Sequence, residues 1–147
     1  MVTKLIENHM QDHPAFIIHN LEHGLSVAQE ATQTKSSAVL FSPLGAAKSL
    51  GPDVFISMIN SVFELYPEAD IIGVLDCAND AGNALGAIRR GASHISVQLD
   101  APEYEKILDI AAKSNVSVRV FPDNALDLIK FENFKQHIIS HLIEHKQ

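Results

Sequence analysis

IIGVLDCAND, residues 71–80, is the stretch that decides the fold of this chain. It begins with an apolar, largely β-branched run and continues into turn-forming residues, a pattern typical of a short buried strand. Four further apolar runs, at residues 15–18, 38–41, 95–99 and 116–120, follow the same pattern. Successive runs begin 21 to 33 residues apart, a spacing that accommodates a strand, a helix and two short loops. Such crossovers join parallel strands, so the sequence predicts a parallel sheet.

Amphipathic stretches separate these runs and predict helices, so we expect an α/β fold of about five repeated βα units. We favour a single domain over residues 1–147 with a three-layer, flavodoxin-like sandwich. The alternative is the open half of a (βα)8 barrel, since a complete barrel needs about 250 residues. Residues 1–13 are predicted to be a loosely ordered segment and residues 133–145 a C-terminal helix. Asp123 is expected to cap another helix that runs toward Lys130.

The last two predicted strands are polar on one face. His94, Ser96 and Gln98 alternate with apolar residues in one strand, and Ser117 and Arg119 do so in the other. A central parallel strand covered by helices on both faces is usually apolar throughout. These two strands are therefore expected at a sheet edge, against a partner or facing a barrel-like interior. We predict a homodimer from this exposed sheet surface.

Composition excludes several classes of protein. The chain has 147 residues, of which 46% are hydrophobic and 20% charged, as in ordinary globular proteins. A formal net charge of −7 argues against nucleic-acid or anionic-membrane partners. Apolar runs are too short for a membrane helix, and the polar N-terminus lacks a signal-type apolar core, so we predict a cytoplasmic protein. The single cysteine, Cys77, excludes an intramolecular disulfide.

Ligands of parallel α/β folds bind at the carboxyl ends of the strands, which makes Asp76 the first candidate catalytic residue. A carboxylate at the end of a buried strand is partly desolvated and suits general acid–base catalysis, although it could equally cap the following turn. Cys77 is a candidate nucleophile, with His19 as its base if the first and third strands are neighbours. The alternative for Cys77 is a small buried thiol.

The loop after the second predicted strand is a candidate anion-binding site. Ser42 and Gly45 are small enough to let a ligand approach the backbone, and Lys48 could add a positive charge. The alternative is that the glycine serves a turn and the lysine is solvated. Three further polar residues that follow strands are predicted to bind the ligand: Asn20, Asn79 and Asp123. The sequence predicts no metal site and identifies no cofactor.

Histidines recur at helical spacing near both ends of the chain. His137, His141 and His145 share one face of the last predicted helix, and His9 and His13 have the same spacing. Two histidines four residues apart can bind zinc, but no third ligand is placed beside them. A solvated or interface face is the alternative, and the role of these histidines is left open.

Four segments of the chain resemble the first half of a class II fructose-bisphosphate aldolase barrel: AFIIHNLE (15–22), SPLGA (42–46), VLDC (74–77) and RGASHISV (90–97). The resemblance covers residues 15–120. In that family a leucine-aspartate-histidine step supplies a proton-donating aspartate and a zinc-binding histidine. Asp76 matches the aspartate, but Cys77 stands in place of the histidine. The later strands that supply the other metal ligands and the phosphate loops have no counterpart, so the resemblance implies binding of a metabolite more than aldol cleavage.

Three functions are therefore in competition. The first is a non-catalytic or regulatory module that binds a polar or phosphorylated metabolite at the carboxyl ends of the strands; a small anionic metabolite is the predicted partner. The alternative is a small lyase-like or hydrolase-like enzyme that uses Asp76 as its general acid or base. The second alternative is a structural, homo-oligomeric interaction protein.

Overall fold

A computed structural model describes residues 13–144 of the chain; the segment 1–12, with His9, and residues 145–147, with His145, lie outside the described residues. The strands are β1 (Ala15–Ile17), β2 (Ser37–Phe41), β3 (Asp70–Asp76), β4 (His94–Ser96), β5 (Ser117–Arg119) and β6 (Leu126–Asp127). The helices are α1 (Leu21–Thr34), α2 (Ala46–Ser49), α3 (Pro52–Leu65), α4 (Ala81–Arg89), α5 (Glu103–Lys113) and α6 (Phe134–Glu144), with a 3-10 helix at Leu128–Lys130.

All strand pairs are parallel, and the sheet has the order β5-β4-β3-β2-β1-β6. The predicted parallel α/β fold is therefore confirmed. The first five strands lie side by side in the order in which they follow one another along the chain. A flavodoxin-like sheet places the first strand between the second and third, whereas sequential order is that of a (βα)8 barrel. The strand order thus favours the open barrel segment among the two predicted architectures.

The two faces of the sheet carry different cores. Right-handed crossovers between sequential strands place the helices on one face, where Phe16, Leu40 and Leu75 join the larger apolar cluster. We call the opposite face the inner face. A smaller cluster lies there, formed by Ala15, Val39, Phe41 and Val74, and the partly buried residues packed on it are Ile17, Ile72, Phe121 and Ala125.

The connection from β5 to β6 crosses the inner face of the sheet. Phe121 comes two residues after β5, yet its ring centroid lies 5.3 Å from that of Phe41 in β2. In a flat sheet three strand spacings would separate β5 from β2 by about 14 Å. Residues 120–125, which connect β5 to β6 at the far edge of the sheet, therefore cross the inner face as they run between the two edges.

Local sequence explains how the helices begin and pack. Asn20 accepts a hydrogen bond from the His23 amide and caps α1, and Asp80 caps α4 by accepting one from the Asn83 amide. At Gly73 a Cβ would come within 2.6 Å of Ile59, so the glycine permits α3 to lie close on β3. Among residues 13–144, none of the helices is long and apolar enough to cross a bilayer.

The structure corrects one predicted helix and confirms another. Residues 123–130 do not form the helix expected from Asp123, because Leu126–Asp127 pairs with β1 as β6 and a 3-10 turn follows. Asp127, and not Asp123, caps that turn by accepting a hydrogen bond from the Ile129 amide. The C-terminal helix is confirmed as α6, whose Ile138 and Leu142 are buried.

Candidate functional site

The carboxyl ends of β3, β4 and β5 enclose an open cleft of about 450 Å³, which we call the rim cleft. Its apolar part includes exposed Leu44 and Val120 and the half-buried ring of Tyr104. Its polar part consists of Asp76, Gln98 and Asp123. Among the described residues that line the cleft, the charged ones are both acidic. Two predicted site residues, Asp76 and Asp123, therefore lie in the same cleft.

Asp76 is buried, with 2% of its surface exposed, and its carboxylate accepts three hydrogen bonds. Oδ2 accepts from the amides of Gly45 at 2.7 Å and Ala78 at 3.0 Å, while Oδ1 accepts from the Ser96 hydroxyl at 2.6 Å. The donors come from three loops or strands around the rim. The carboxylate thus ties these segments together, and a reacting group would have to share its oxygens with the donors already present.

Ala78 has a left-handed backbone, with φ of +52°. A residue with a side chain adopts that conformation at an energetic cost, and such residues persist where the surroundings hold them. Here the amide of Ala78 donates to Asp76, and its carbonyl accepts a hydrogen bond of 2.7 Å from the Gln98 amide. Asp76 therefore also fixes a strained turn that forms one wall of the rim cleft.

The loop predicted to bind an anion uses its own polar groups internally. The Ser42 hydroxyl accepts from the Asp76 amide at 2.8 Å and donates to the Pro43 carbonyl at 3.0 Å. The Gly45 amide is the group that donates to Asp76. Lys48 is exposed and does not line the rim cleft. Ser42 and Gly45 therefore position Asp76, whereas Lys48 lies outside the rim cleft.

Cys77 is fully buried, on the helix-covered side of the sheet. Burial, assisted by the charges of Asp76 and Asp80, raises the pKa of the Cys77 thiol to about 12. The nucleophilic form of a cysteine is the thiolate, which such a pKa suppresses at neutral pH. The geometry therefore supports the alternative interpretation of Cys77 as a small buried thiol.

His19 does not meet Cys77 through neighbouring strands, because β2 separates β1 from β3; the predicted adjacency of the first and third strands is wrong. Instead, His19 Nε2 lies 2.7 Å from Asp127 Oδ1. The His19 amide donates to Nδ1 of His23, whose ring meets that of Phe134 edge-on at 5.0 Å. This cluster joins β1 to β6 and α6, and its residues do not line the rim cleft.

Burial lowers the pKa of His23, and the neighbouring His19 lowers it further, while Glu22 and Asp127 act in the opposite direction. The predicted ligand-binding residues Asn20 and Asn79 are both exposed, and neither lines the rim cleft. Asn20 serves as a helix cap. Of the predicted ligand-binding residues, Asp123 is the one that the structure places in the cleft beside Asp76.

The histidines of α6 contact aromatic rings in the part of the chain that the structure describes. The ring of His137 stacks on Phe131 with centroids 4.0 Å apart. His141 packs edge-on against Phe16 at 5.0 Å, and its Nε2 lies 3.2 Å from the Ala15 carbonyl oxygen. His141 therefore packs on β1, whereas His137 packs on the loop that precedes α6.

Of the polar strand faces predicted from the sequence, Ser96, Gln98 and Arg119 lie on the inner face of the sheet. Ser96 reaches Asp76 there, and buried Arg119 lies close enough to His94 to influence it. Burial lowers the pKa of His94 to about 4, and the charge of Arg119 contributes. Sequence reasoning did not select Gln98 or Tyr104 as site residues; the alternation that placed Gln98 on a polar face was the available signal for the first.

Residues 13–144 contain no group of three or more histidine, cysteine or acidic side chains arranged to hold a metal ion. The zinc ion that the aldolase resemblance implies would need a ligand at Cys77. That thiol is buried among apolar residues and holds its proton, so it does not fit this role. We therefore derive no chemical step through a metal in this chain.

No family model matches the chain. Its sequence is similar to part of three known proteins. It is 30% identical to fructose-bisphosphate aldolase 2 of Cereibacter sphaeroides in an alignment of length 108 that covers 68% of this chain and 30% of that protein. It is 31% and 32% identical to aldolases of Synechocystis sp. and Rhizobium meliloti over 59% of this chain and 24% of each protein. The chain thus spans less than a third of these relatives, and its resemblance to class II aldolases is confirmed as a partial one.

Proposed function

We propose that the chain binds a small polar metabolite in the rim cleft and acts as a non-catalytic, regulatory module. The observation that carries the proposal is the cleft itself, because it combines apolar walls with Asp76, Gln98 and Asp123 at the carboxyl ends of parallel strands. Most ligand sites have this composition, with an apolar lining and a few polar groups that orient the ligand. Metabolite binding also agrees with the partial similarity to aldolases.

The charges favour a ligand with hydroxyl or amino groups over a phosphorylated one. Asp76 and Asp123 would repel a phosphate, and the Gly45 amide that could have bound it donates to Asp76. Carboxylate and amide oxygens instead accept hydrogen bonds from hydroxyl and ammonium groups. The ligand is therefore a neutral polyol or a small amine whose carbon skeleton lies against Tyr104 and Val120.

Ligand screening by thermal shift and calorimetry tests this function. The probes are ribose, erythritol and putrescine for the favoured classes, with inorganic phosphate and fructose bisphosphate for the phosphorylated class. Val120→Trp should fill the cleft and abolish binding, whereas Leu65→Trp should leave binding unchanged. Both residues are 63% exposed, so the two variants carry the same added ring on an equally exposed site. The proposal is wrong if no polyol or amine binds, or if Val120→Trp binds as well as the wild type.

An enzyme that uses Asp76 as general acid or base is the second candidate function. Its support is the position of Asp76 in the cleft and the similarity to aldolases. Incubation of the bound probe with wild-type protein, followed by NMR spectroscopy, separates the two functions. Product that forms with the wild type would establish the enzyme, whereas binding without turnover supports the module. The homodimer and the cytoplasmic location stay predictions.

A further inference from the structure

The rim cleft contains a buried negative charge that no positive charge of the described chain neutralises. Asp76 lines the cleft and is only 2% exposed. The groups that donate hydrogen bonds to its carboxylate are two backbone amides and a hydroxyl, all of them neutral. Among residues 13–144, Asp76 forms no ion pair with a lysine, arginine or histidine. Buried charges in proteins are usually paired, so a positive charge on the ligand would complete this site.

The charged groups on the surrounding elements leave this imbalance in place. Asp123 adds a second negative charge in the cleft, at an exposed position. Arg119, in β5, lines a separate cavity on the inner face together with His13, and it has an interaction partner of its own. Burial lowers the pKa of His94 to about 4, so that ring is uncharged at neutral pH. Because Lys48 also lies outside the cleft, the described side chains that line it carry a net negative charge.

The Asp76 carboxylate can accept one more hydrogen bond. A carboxylate offers about four acceptor positions, two on each oxygen. Oδ2 uses two of them for the amides of Gly45 and Ala78, whereas Oδ1 uses one for the Ser96 hydroxyl. An ammonium group combines N–H donors with a positive charge, and hydrogen bonds between charged groups are stronger than neutral ones. The remaining position on Oδ1 therefore favours an ammonium group over a hydroxyl group.

The apolar walls of the cleft indicate what the rest of the ligand is made of. Leu44 and Val120 are exposed, and they line the cleft together with half-buried Leu99 and Phe121. A hydrocarbon group that covers these side chains removes apolar surface from water, which stabilises the complex. A polyol gains less from the same contacts, because its hydroxyl groups would face the apolar walls. The cleft volume of about 450 Å³ accommodates a small molecule.

We propose that the ligand of the rim cleft is a small organic ammonium ion with an apolar body, whose positive charge is balanced by Asp76 and Asp123. This inference rests on the proposed function, and it narrows the ligand from polyols and amines to amines. The ammonium group donates a hydrogen bond to Asp76, and the apolar body covers Leu44 and Val120. A carboxylate or phosphate of the same size is disfavoured, because its charge has the same sign as the cleft.

Three probes with the same branched carbon skeleton test the ligand class: isoamylamine, neutral isoamyl alcohol and the anion isovalerate. NMR titration of the intact wild-type protein at neutral pH should show isoamylamine binding at least tenfold more tightly than isoamyl alcohol, whereas isovalerate should not bind. Nuclear Overhauser contacts from the methyl groups of isoamylamine should reach Leu44 and Val120. These contacts distinguish binding in the cleft from general attraction of a cation to an acidic protein.

Two variants test the carboxylates separately. Asp76→Asn should weaken isoamylamine binding at least tenfold. Asp123→Asn, which leaves the hydrogen bonds of Asp76 in place, should weaken it about threefold, as expected for an exposed charge. Asp109→Asn removes the same charge from an exposed residue of α5 outside the cleft and should leave binding unchanged.

Equal affinity for isoamylamine and isoamyl alcohol would overturn the proposal. Contacts away from Leu44 and Val120, absence of isoamylamine binding at millimolar concentration, or equal weakening by Asp109→Asn and Asp123→Asn would do so as well. If Asp76→Asn does not fold, the wild-type comparison and Asp123→Asn still decide the question. Binding of ribose or erythritol without binding of the amine would refute this inference and leave the proposed function standing, whereas failure of polyols and amines alike would remove both.

Discussion

Asp76 joins the ends of three neighbouring strands through one carboxylate. Its oxygens accept hydrogen bonds from the loop after β2, from the turn after β3 and from Ser96 in β4. Its own amide donates to Ser42. Hydrogen bonds to a charged group contribute more to stability than neutral ones, and a buried partner that loses its acceptor is costly. At this residue the shape of the rim cleft and the stability of the fold depend on the same contacts.

Replacement of Asp76 by asparagine should destabilise the protein by about 2 kcal/mol, because the charge is lost and one oxygen becomes a donor. Asp80→Asn is the matched control, since asparagine caps a helix about as well as aspartate does. It should change the free energy of unfolding by less than about 0.5 kcal/mol. Urea unfolding followed by circular dichroism measures both values. Equal stability of Asp76→Asn and the wild type would contradict the structural role of this carboxylate.

His94 makes stability depend on pH. Its pKa is about 4 in the folded protein, against 6.5 for an ordinary histidine, because the ring is largely buried and Arg119 is near. The unfolded chain therefore takes up the proton first as the pH falls. The contribution to stability is fully present above pH 6.5 and is lost as the pH falls through about 4, by up to roughly 3 kcal/mol at 1.36 kcal/mol per pH unit.

Unfolding of His94→Gln and of His137→Gln between pH 4 and 7 isolates this contribution. The loss of stability on acidification should be smaller in His94→Gln by about 2 kcal/mol or more. His137, which stacks on Phe131 at the surface, serves as the control, and its variant should retain the wild-type pH dependence. Parallel pH profiles for His94→Gln and the wild type would show that this ring does not contribute.

At the scale of elements, the five regularly spaced strands β1 to β5 were predictable from the sequence, whereas the pairing of β6 with β1 was not. The five apolar runs each became a strand, because period and β-branched composition act locally. Residues 123–130 failed as a helix because Leu126–Asp127 instead pairs with β1, a long-range contact that local propensity does not encode. The contact between His19 and Asp127 was not predicted for the same reason, because it is the pairing of β6 with β1 that brings Asp127 to His19.

Helix α6 tests how far the C-terminal element is part of the core. Leu142 is 1% exposed and packs within the larger apolar cluster, whereas its neighbour Ile143 is 54% exposed. Leu142→Ala should cost about 2–4 kcal/mol, the usual range for a buried leucine. Ile143→Ala should cost less than about 0.5 kcal/mol. Similar losses for the two variants in urea unfolding would mean that the helix is not docked by this face.

For the whole molecule, the sequence indicated the fold class but left the strand order open. Spacing of 21 to 33 residues between runs leaves room for the helical crossovers that parallel strands need, and a sandwich and a barrel segment use such crossovers equally well. The polar faces of β4 and β5 were expected at a sheet edge, against a partner or in a barrel-like interior, and in the structure Ser96 and Arg119 lie on the inner face. The position of Asp76 at the rim could be predicted from the sequence. The three groups that donate hydrogen bonds to its carboxylate could not all be predicted, because they depend on tertiary contacts.

A single cooperative unit is the last expectation. The larger apolar cluster extends without a break from Phe16 in β1 through Ile95 in β4 to Leu142 in α6, so no part of it can be lost without exposing the rest. Urea unfolding should therefore follow one transition by circular dichroism, by tyrosine fluorescence and by alkylation of buried Cys77. Asp76→Asn at the centre and Leu142→Ala at the edge should both shift that same transition for all probes. Separate midpoints for Cys77 exposure and for loss of helix would mean that the chain has two independently folding parts, which would contradict the one-domain prediction.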